Sequence, residues 1–245
     1  MLSERITIVI PTKDEQGYIG RLLHDIIQQY DITGTRVIVA DSSTDATPEI
    51  VNEFASEHSD KIKLELIEGG PVSIARNAGA LLVKTPFILF LDADVRLINP
   101  YHIIDAFLKL KGLSSRYGKG LVTSRLGSYS NDWKCGFAYT VYNWVHSVLV
   151  KRYPFAIGGF FFVDTTSFTK FGMFDRSTDN SEDFLFSQNY EPKQFGICSY
   201  KILLDDRRFK KIGYFNTVKH LLWNFINFLF KNKTHFTRRS SYWGT

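Results

Sequence analysis

The stretch Phe87-Ile-Leu-Phe-Leu-Asp92-Ala-Asp94-Val95 places five apolar residues directly before two carboxylates. An apolar run of this length predicts a buried strand, and in an open α/β sheet ligands bind beyond the carboxyl ends of the strands. Two acids one residue apart repel each other unless a cation lies between them or one takes up a proton. Because Mg²⁺ and Mn²⁺ prefer carboxylate oxygens and share them with substrate phosphates, the stretch predicts a site for a divalent cation and a phosphate.

The chain around this stretch alternates between strand and helix patterns. Apolar, β-branched runs predict strands at Ile6–Ile10, Val37–Ala40, Ile62–Ile67 and Pro86–Leu91. Helical spacing predicts intervening helices at Tyr18–Ile27, from Thr47 onward, and at Val72–Val83. This regular order predicts an α/β fold with a doubly wound, mainly parallel (mixed) sheet that is flanked by helices.

The second half of the chain has a less regular pattern. Helices are predicted from Asn99-Pro100 to Lys111, at Trp133–Lys151 and at Ser181–Tyr190, and strands at Gly159–Val163 and Tyr200–Leu204. The aromatic residues of the second of these helices are expected in the core, with a wall facing a substrate as the alternative: they are Trp133, Tyr139, Tyr142 and Trp144. No repeat or low-complexity linker interrupts residues 1–206, which we therefore take as one body.

Charge is spread unevenly over the 245 residues. Residues 201–245 hold ten Lys or Arg against two acids, whereas residues 1–200 hold 20 against 23. The slightly acidic body, in which basic residues do not alternate with aromatic ones, gives no sign of nucleic-acid binding. Cys135 and Cys198 lie far apart and predict free thiols in a reducing cytosol. The chain start lacks a basic segment followed by a long apolar one, so we expect no signal peptide.

Polar residues follow the predicted strands where these end. Pro11–Glu15 follows the first strand, Asp41–Asp45 the second and Asp92–Asp94 the fourth, while Ser73–Gly79 lies near the start of the third crossover helix. Carboxylates at strand ends can accept hydrogen bonds from a nucleobase or from ribose hydroxyls, and Arg76 can neutralise a phosphate. Together these turns predict a site for a nucleoside diphosphate that is bound with a metal ion.

These turns resemble the motifs of the inverting family 2 glycosyltransferases, which have a GT-A fold. The matching segments are Val9–Glu15, Asp41–Asp45, Ala75–Gly79, Leu91–Asp94, Phe171–Asp175 and the pair Glu182-Asp183. They occur in the family's order over roughly residues 5–205. Asp14 departs from the pattern, because the family usually has Asn there. The signature Gln-x-x-Arg-Trp of processive members is absent, which favours the addition of a single sugar.

The resemblance implies a role for each matching residue. The nucleotide-binding set would be Pro11, Thr12, Glu15, Asp41, Arg76, Asp92 and Asp94. Within this set Asp41 would bind the base, expected to be uracil, and Asp94 with Asp92 would hold Mg²⁺ or Mn²⁺. Asp183 would be the catalytic base, and Glu182 would orient Asp183 or the acceptor. An ordinary Asp has a pKa of about 3.9, so we expect Asp183 to be ionised at neutral pH.

The implied activity is metal-dependent, inverting transfer of a single sugar from a nucleotide-sugar, expected to be a UDP-sugar, to a hydroxyl group. Residues 1–99 would form the nucleotide-binding half of the domain and residues 100–206 the acceptor-binding half. One alternative is a polyprenyl-phosphate sugar synthase, and another is a sugar-nucleotide-binding protein without turnover. A third is a phosphatase of the haloacid-dehalogenase type, in which Asp92 would be the nucleophile. That family usually places its nucleophile on the first strand, whereas Asp92 follows the fourth.

Several of these residues also have plain structural explanations. Asp41 and Asp45 could cap the helix that begins near Thr47. Arg76 could be a solvated helix residue, and the pair Glu182-Asp183 could be ordinary acids of a first helical turn. The six His residues show no paired metal-binding spacing. The structure has to decide between these explanations and the functional ones.

The end of the chain, residues 207–245, combines an apolar stretch with basic flanks. In Ile212–Phe230 the polar residues recur at steps of three or four, which predicts an amphipathic helix. A wide apolar face with basic flanks favours a helix that lies in a membrane interface. We therefore expect an enzyme that is peripheral on the cytoplasmic face of a membrane, with a lipid-linked or glycan acceptor. The alternative is that the helix packs on the body or forms an oligomer contact.

Overall fold

The computed structural model describes residues 1–130, 132–177 and 182–205. In this part of the chain the strands are β1 (Ile6–Thr12), β2 (Thr35–Asp41), β3 (Ile62–Glu68), β4 (Phe87–Leu91), β5 (Leu121–Ser128), β6 (Phe160–Asp164) and β7 (Phe195–Leu204). They form one sheet in the order β3-β2-β1-β4-β6-β5-β7. Neighbouring strands are parallel except β6, which runs antiparallel to β4 and β5. The predicted mainly parallel, mixed sheet is therefore confirmed.

Helices cover both faces of this sheet. They are α1 (Ile19–Ile27), α2 (Thr47–Glu57), α3 (Val72–Leu81), α4 (His102–Tyr117), α5 (Trp133–Leu149), α6 (Thr165–Lys170) and α7 (Glu182–Ser187), with 3₁₀ turns at Leu2–Glu4 and Pro192–Gln194. The larger core includes buried residues of α1, α2, α4 and α5, and the smaller one includes residues of α3, α6 and α7. Among the described residues, no helix combines the length and the apolar character needed to cross a membrane.

The strand order reverses beside β1. This strand lies between β2 and β4, and all three are parallel, so their carboxyl ends meet at one edge of the sheet. Phe160, the first residue of β6, pairs with Leu91, the last residue of β4, so β6 begins at this same edge. Ligands of open α/β sheets bind at such a switch point, beyond the carboxyl ends of the strands. The fold thus places the predicted polar turns together.

A cluster of phenylalanine rings forms the smaller core. Its members are Phe90, Phe161, Phe168, Phe174 and Phe186, and neighbouring ring centroids lie 4.9–6.0 Å apart. Tilted and edge-to-face pairs at these distances are favourable beyond the area that they bury. Because Phe186 lies on α7, the cluster fixes the short helix that carries Glu182 and Asp183 to the sheet.

Some elements differ from the sequence-based predictions. β5 and α6 were not predicted, and β7 begins at Phe195 rather than at Tyr200. The polar residues of β5 conceal its pattern, because Thr123 donates to the Phe160 carbonyl (2.9 Å) and Ser124 to the Tyr200 carbonyl (3.1 Å), each inside the sheet. The predicted C-terminal amphipathic helix lies outside the described residues.

The aromatic residues of α5 divide between its two faces. Tyr139 is buried, as expected for a core residue, whereas Trp133 and Trp144 are exposed. The expectation that both tryptophans belong to the core is therefore wrong. Helical spacing identified the helix, but α5 is apolar on both faces, so the pattern could not show which face packs on the sheet.

Gly79→Ala is expected to lower the free energy of unfolding by about 1–3 kcal/mol, because overpacking a well-filled contact costs that much. A Cβ at this position of α3 would lie only 2.4 Å from a Val9 methyl group on β1. The matched control is Gly112→Ala on α4, where a Cβ would meet nothing within 4 Å. Alanine there should stabilise by up to about 1 kcal/mol through helix propensity. Urea denaturation measures both, and equal changes would contradict the close packing of α3 on β1.

Candidate active site

Asp41 is fixed at the end of β2 beside the end of β1. Its neighbour across the sheet is Thr12, whose hydroxyl donates to Asp41 Oδ1 at 2.6 Å. Ser43 donates to the same carboxylate through its hydroxyl (2.6 Å) and its backbone N–H (3.1 Å). Asp41 therefore lies with Thr12 and Ser43 at the ends of β1 and β2, whereas Asp45 accepts from the backbone N–H of Thr47 at the start of α2 (3.0 Å). Asp45 thus satisfies an N–H of the first turn of α2, although Ala46 occupies the N-cap position.

The turns after β1 and β2 form one hydrogen-bonded unit. Asp14 has a φ of +55°, its N–H donates to the Ser43 hydroxyl (2.8 Å) and its carboxylate accepts from the Thr44 N–H (2.8 Å). Asp and Asn are the non-glycine residues that adopt this left-handed conformation most readily. An Asn oxygen could accept the same bond, which explains why Asp14 can stand where the resembling family has Asn. The backbone N–H of Glu15 donates to the Thr47 hydroxyl (2.9 Å) and joins this unit to α2.

Arg76 connects the end of β4 with the start of α7. It lies on α3 and is only 2% exposed. One terminal nitrogen donates to Asp92 Oδ1 (2.5 Å), the other donates to Glu182, and the guanidinium lies over the Phe174 ring (5.6 Å). Burial lowers the pKa of Arg76, but the charges of Asp92 and Glu182 raise it more, and its pKa ends well above the usual value. Arg76 is thus a permanent buried cation that two carboxylates compensate.

Two glycines before β6 lie close to this site, and the first of them, Gly158, makes room for the cation. A Cβ on Gly158 would lie 2.5 Å from an Arg76 nitrogen, and one on Gly159 would lie 3.1 Å from Ile202 and 3.9 Å from Asp92 Oδ2. A side chain at position 158 would therefore displace the Arg76 guanidinium from its positions against Asp92 and Glu182. The sequence analysis missed both glycines, although a Gly-Gly pair before an apolar run is a signal for a close approach of the backbone.

Asp183 is held by backbone donors at the start of α7. It accepts hydrogen bonds from the N–H groups of Phe184 (2.7 Å) and Gly158. Burial raises the pKa of Asp183, and Arg76 opposes that shift. The expectation of an ordinary Asp183 pKa is therefore wrong, because it ignored burial. Burial also raises the pKa of Glu182 to about 7, again against the charge of Arg76.

Two further residues support this arrangement: Asn77, from the matching segment Ala75–Gly79, and Tyr142, for which a wall facing a substrate was the alternative to the core. The Asn77 side chain donates to the Phe174 carbonyl (2.8 Å) and accepts from the Phe174 N–H (3.1 Å), so α3 holds the ring that faces Arg76. The second residue, Tyr142, lies on α5. Burial and the charge of Asp183 raise the pKa of its hydroxyl. Tyr142 therefore stays protonated beside the carboxylate.

Asp92 and Asp94 offer a partial ligand set for a divalent cation. Asp92 keeps 31% of its side chain exposed although Arg76 binds one of its oxygens, and Asp94 is half-buried. Within the described residues, no three His, Cys, Asp or Glu side chains form a metal centre. Mg²⁺ and similar cations are commonly held by one or two carboxylates together with waters and substrate phosphates. The two carboxylates fit a cation whose coordination a bound diphosphate completes.

Residues 7–104, which span β1 to β4, match the family model for glycosyl transferase family 2. This segment belongs to that family. Glycosyltransferase GlyA of Streptococcus pneumoniae is 33% identical over 94 residues, which cover 38% of this chain and 13% of the relative. The poly(ribitol-phosphate) beta-N-acetylglucosaminyltransferase TarS of Staphylococcus aureus is 29% identical over 127 residues, which cover 46% and 22%. The aligned part is thus less than a quarter of either relative.

Solved structures share the fold beyond the family 2 segment. S. aureus TarS 1–349 in complex with UDP-GlcNAc has a TM-score of 0.61 at 18% identity, with 83% of this chain and 59% of that chain covered. The mannosyltransferase PcManGT from Pyrobaculum calidifontis, in complex with GDP-Man and Mn²⁺, has a TM-score of 0.61 at 20% identity and coverages of 82% and 56%. At such identities the likeness shows the fold, and it confirms the predicted GT-A type.

Proposed function

We propose that this chain transfers a single sugar, with inversion, from a UDP-sugar to a hydroxyl group of a glycan or lipid-linked acceptor. One observation carries the proposal. Arg76 joins Asp92, at the nucleotide-binding edge of a family 2 segment, to the Glu182-Asp183 pair, which has a raised proton affinity. A site that places a base candidate beside the donor edge is what a single in-line displacement requires.

The donor would lie across the ends of β1, β2 and β4. We place the nucleoside against Pro11, Thr12 and Glu15, with the base on Asp41, whose Oδ2 retains accepting capacity after binding the Ser43 N–H. UDP-GlcNAc in the TarS complex supports uracil, and GDP-Man in the PcManGT complex shows that the same fold accepts another base. The choice of a UDP-sugar is therefore tested below against GDP- and dTDP-sugars.

The deep position of Arg76 supports a positioning role. Because Arg76 is only 2% exposed, we expect it to act on the donor chiefly through Asp92, whose carboxylate it orients. A direct contact of Arg76 with the base or the diphosphate stays a prediction. Asp94, with Asp92, would hold Mg²⁺ or Mn²⁺, and the Mn²⁺ in the PcManGT complex supports such a cation. When bound, the cation would act as a Lewis acid on the departing diphosphate.

Asp183 would act as the base of the transfer. The acceptor oxygen forms a bond to the anomeric carbon, the bond from that carbon to the diphosphate oxygen breaks, and the hydroxyl proton passes to Asp183. The N–H groups of Phe184 and Gly158 orient the carboxylate, and Arg76 limits the rise of its pKa. Glu182 shares the charge of Arg76 and keeps that cation in place.

Binding and hydrolysis of a nucleotide-sugar panel test the function. UDP-, GDP- and dTDP-sugars are offered with Mn²⁺ or Mg²⁺, and hydrolysis and calorimetric affinity are measured with and without a chelator. We expect UDP-sugars to bind best and hydrolysis to stop on chelation. Release of phosphate from a phosphomonoester that depends on Asp92 would instead indicate the phosphatase alternative. Transfer to a polyprenyl phosphate rather than to a hydroxyl would indicate the synthase.

As the pH is lowered, the rate of transfer is expected to fall at a higher pH than it would if the base were an aspartate with an ordinary pKa. An acid whose pKa is raised in the folded protein loses its basic form as the pH falls through the raised value, which lies above the ordinary value of about 3.9. The measurement is kcat against pH at saturating donor and acceptor. Glu182→Gln should move this acidic limb to lower pH, because it removes a carboxyl group beside Asp183. A rate that stays constant down to about pH 4 would contradict a raised Asp183 pKa.

We also propose that residues 207–245 hold the enzyme at the cytoplasmic face of a membrane. The support is the pattern of the sequence, since these residues lie outside the described part of the chain. TarS is named for a poly(ribitol-phosphate) acceptor and GgaA of Bacillus subtilis for minor teichoic acid biosynthesis, which supports an acceptor of the cell-surface glycan class. Liposome flotation of the full chain against a version that ends before Ile212 tests the segment.

A further inference from the structure

One face of α5 exposes a continuous apolar stripe. Its members are Trp133, Phe137, Val141, Trp144, Val145 and Val148, with exposures from 38% (Val145) to 73% (Trp133). Steps of three and four residues place them along one side of the helix. We call this set the α5 stripe. Single exposed apolar residues are ordinary, whereas a contiguous set on one helix face marks an interaction surface.

The opposite face of α5 already packs on the sheet. Cys135, Tyr139 and His146 are buried there, so the helix is apolar on both sides. An apolar helix face that does not pack on the core suits an apolar partner. The core accounts for one side only, and the α5 stripe requires a partner for the other.

The charges around the α5 stripe indicate the chemistry of that partner. Residues 133–163 contain no Asp or Glu. Lys134 near one end of α5 and Lys151 and Arg152 just beyond the other end are exposed. Tryptophans with a polar edge and basic residues beside an apolar face suit the boundary between lipid headgroups and acyl chains, most of all in anionic membranes.

We propose that α5 lies in the interface of an anionic bilayer, with the α5 stripe toward the acyl chains. The C-terminal segment of the same chain could instead cover the α5 stripe. β7 ends near the start of α5, because the Tyr129 N–H donates to the Leu204 carbonyl (3.3 Å). That segment, residues 206–245, carries nine basic residues and one acid. The segment would therefore bring positive charge to a helix whose ends already carry Lys134, Lys151 and Arg152. A second copy of the chain would bring the same three cations. An anionic lipid surface complements the charge of both α5 and the C-terminal segment.

The position of α5 links this contact to the active site. Tyr142 lies on α5 between the exposed stripe and Asp183. A membrane that meets the α5 stripe would therefore lie against the same helix as Tyr142, whose hydroxyl the charge of the proposed base reaches, and a lipid-linked acceptor would present its hydroxyl group from that side. This consequence rests on the proposed function, whereas the lipid contact itself does not.

A fluorescent probe on the stripe tests the contact in the full chain. Phe137→Cys is labelled with the polarity-sensitive dye NBD; the native Cys135 and Cys198 are buried, and unsubstituted protein treated alike is the labelling control. With vesicles of phosphatidylcholine and phosphatidylglycerol, we expect a blue shift and a rise in emission of about twofold or more. Pure phosphatidylcholine should give a weaker response. The matched control is Leu108→Cys on α4, which is 59% exposed and should not respond.

Three results would overturn the inference. The first is an emission that does not change with anionic vesicles. The second is a probe that is already blue-shifted in buffer at all protein concentrations, which means that the chain's own tail covers the stripe. The third is a blue shift in buffer that dilution reverses, which means that a second copy covers it.

A second variant and a separate assay keep the interpretation sharp. Trp144→Glu in the labelled chain should weaken vesicle binding by about tenfold or more, since it removes an interfacial anchor and adds a negative charge. Leu108→Glu is the matched charge control and should bind as the parent does. Hydrolysis of UDP-sugar without lipid is measured in parallel. If the parent chain binds vesicles but hydrolyses no UDP-sugar, the proposed transferase is overturned and the lipid contact stands. If it hydrolyses UDP-sugar but its probe does not respond to vesicles, the lipid contact is overturned and the transferase stands.

Discussion

Asp183→Asn is expected to lower kcat for sugar transfer by about 10²–10⁴-fold while the Kd for UDP stays nearly unchanged. The amide has the shape of the carboxylate, and its oxygen can still accept the hydrogen bond of the Phe184 N–H. It cannot take up the proton of the acceptor hydroxyl. The change therefore removes the base and spares the fold and the nucleotide pocket. Initial rates at saturating donor and calorimetric titration with UDP measure the two parts.

The matched control is Asp175→Asn. Asp175 is an exposed aspartate of the same region, bound to the Ser177 N–H (2.8 Å) and hydroxyl (2.7 Å), and it should turn over like the parent. Normal turnover by Asp183→Asn would contradict the assignment and direct attention to Glu182. A loss of UDP affinity together with activity would show that Asp183 is needed for the pocket rather than for proton transfer.

Arg76→Ala is expected to lower the free energy of unfolding by about 3–5 kcal/mol, the cost of leaving buried charges without their partner. Asp92 and Glu182 would lose their shared cation, and Asp183 the charge that opposes the rise of its pKa. Arg76→Lys should recover part of the loss, since it restores the charge but cannot bind two carboxylates as a fork. Equilibrium denaturation in guanidinium chloride gives these differences.

The pH dependence separates charge from packing in this variant. Without Arg76 the buried carboxyl groups take up protons more readily, so the deficit should shrink at mildly acidic pH and grow at mildly alkaline pH. Arg36→Ala is the control, because it breaks a more exposed pair with Glu65 (2.6 Å) and a bond to the Leu82 carbonyl, and it should cost about 1–2 kcal/mol. A loss that does not vary with pH, or that is no larger than that of Arg36→Ala, would contradict the role of Arg76 as a compensated buried cation.

The sequence was sufficient to predict what depends on local periodicity. β1 to β4 and their helices follow from apolar runs and helical spacing, and the contact between Thr12 and Asp41 follows from placing two parallel strands side by side. β5 was not predicted, because its polar Thr and Ser residues interrupt the apolar pattern although their hydroxyl groups bond within the sheet. The exposed face of α5 escaped because both faces of the helix are apolar.

The rest of the site depends on contacts between distant parts of the chain. Arg76 meets Glu182 across 106 residues of sequence, and no local pattern specifies that pair. The requirement for glycine at Gly158 exists only because the guanidinium lies against it. The shift of the Asp183 pKa arises from burial, which a motif does not contain. Motifs thus predict the candidate reacting groups, while the tertiary structure sets the burial and the charged neighbours that shift their pKa values.

The antiparallel strand β6 has a consequence for how the chain is made. β1 to β4 can pair as soon as they leave the ribosome, but one edge of β4 stays open until Phe160 has emerged, and one edge of β5 until β7 has been made. Unpaired strand edges and half-built aromatic clusters are the surfaces through which nascent chains aggregate or engage chaperones. Arg76 is synthesised early and receives Glu182 late. An unfinished chain therefore carries a cation with only one of its two carboxylate partners, and translation must run past α7 before the second partner is in place.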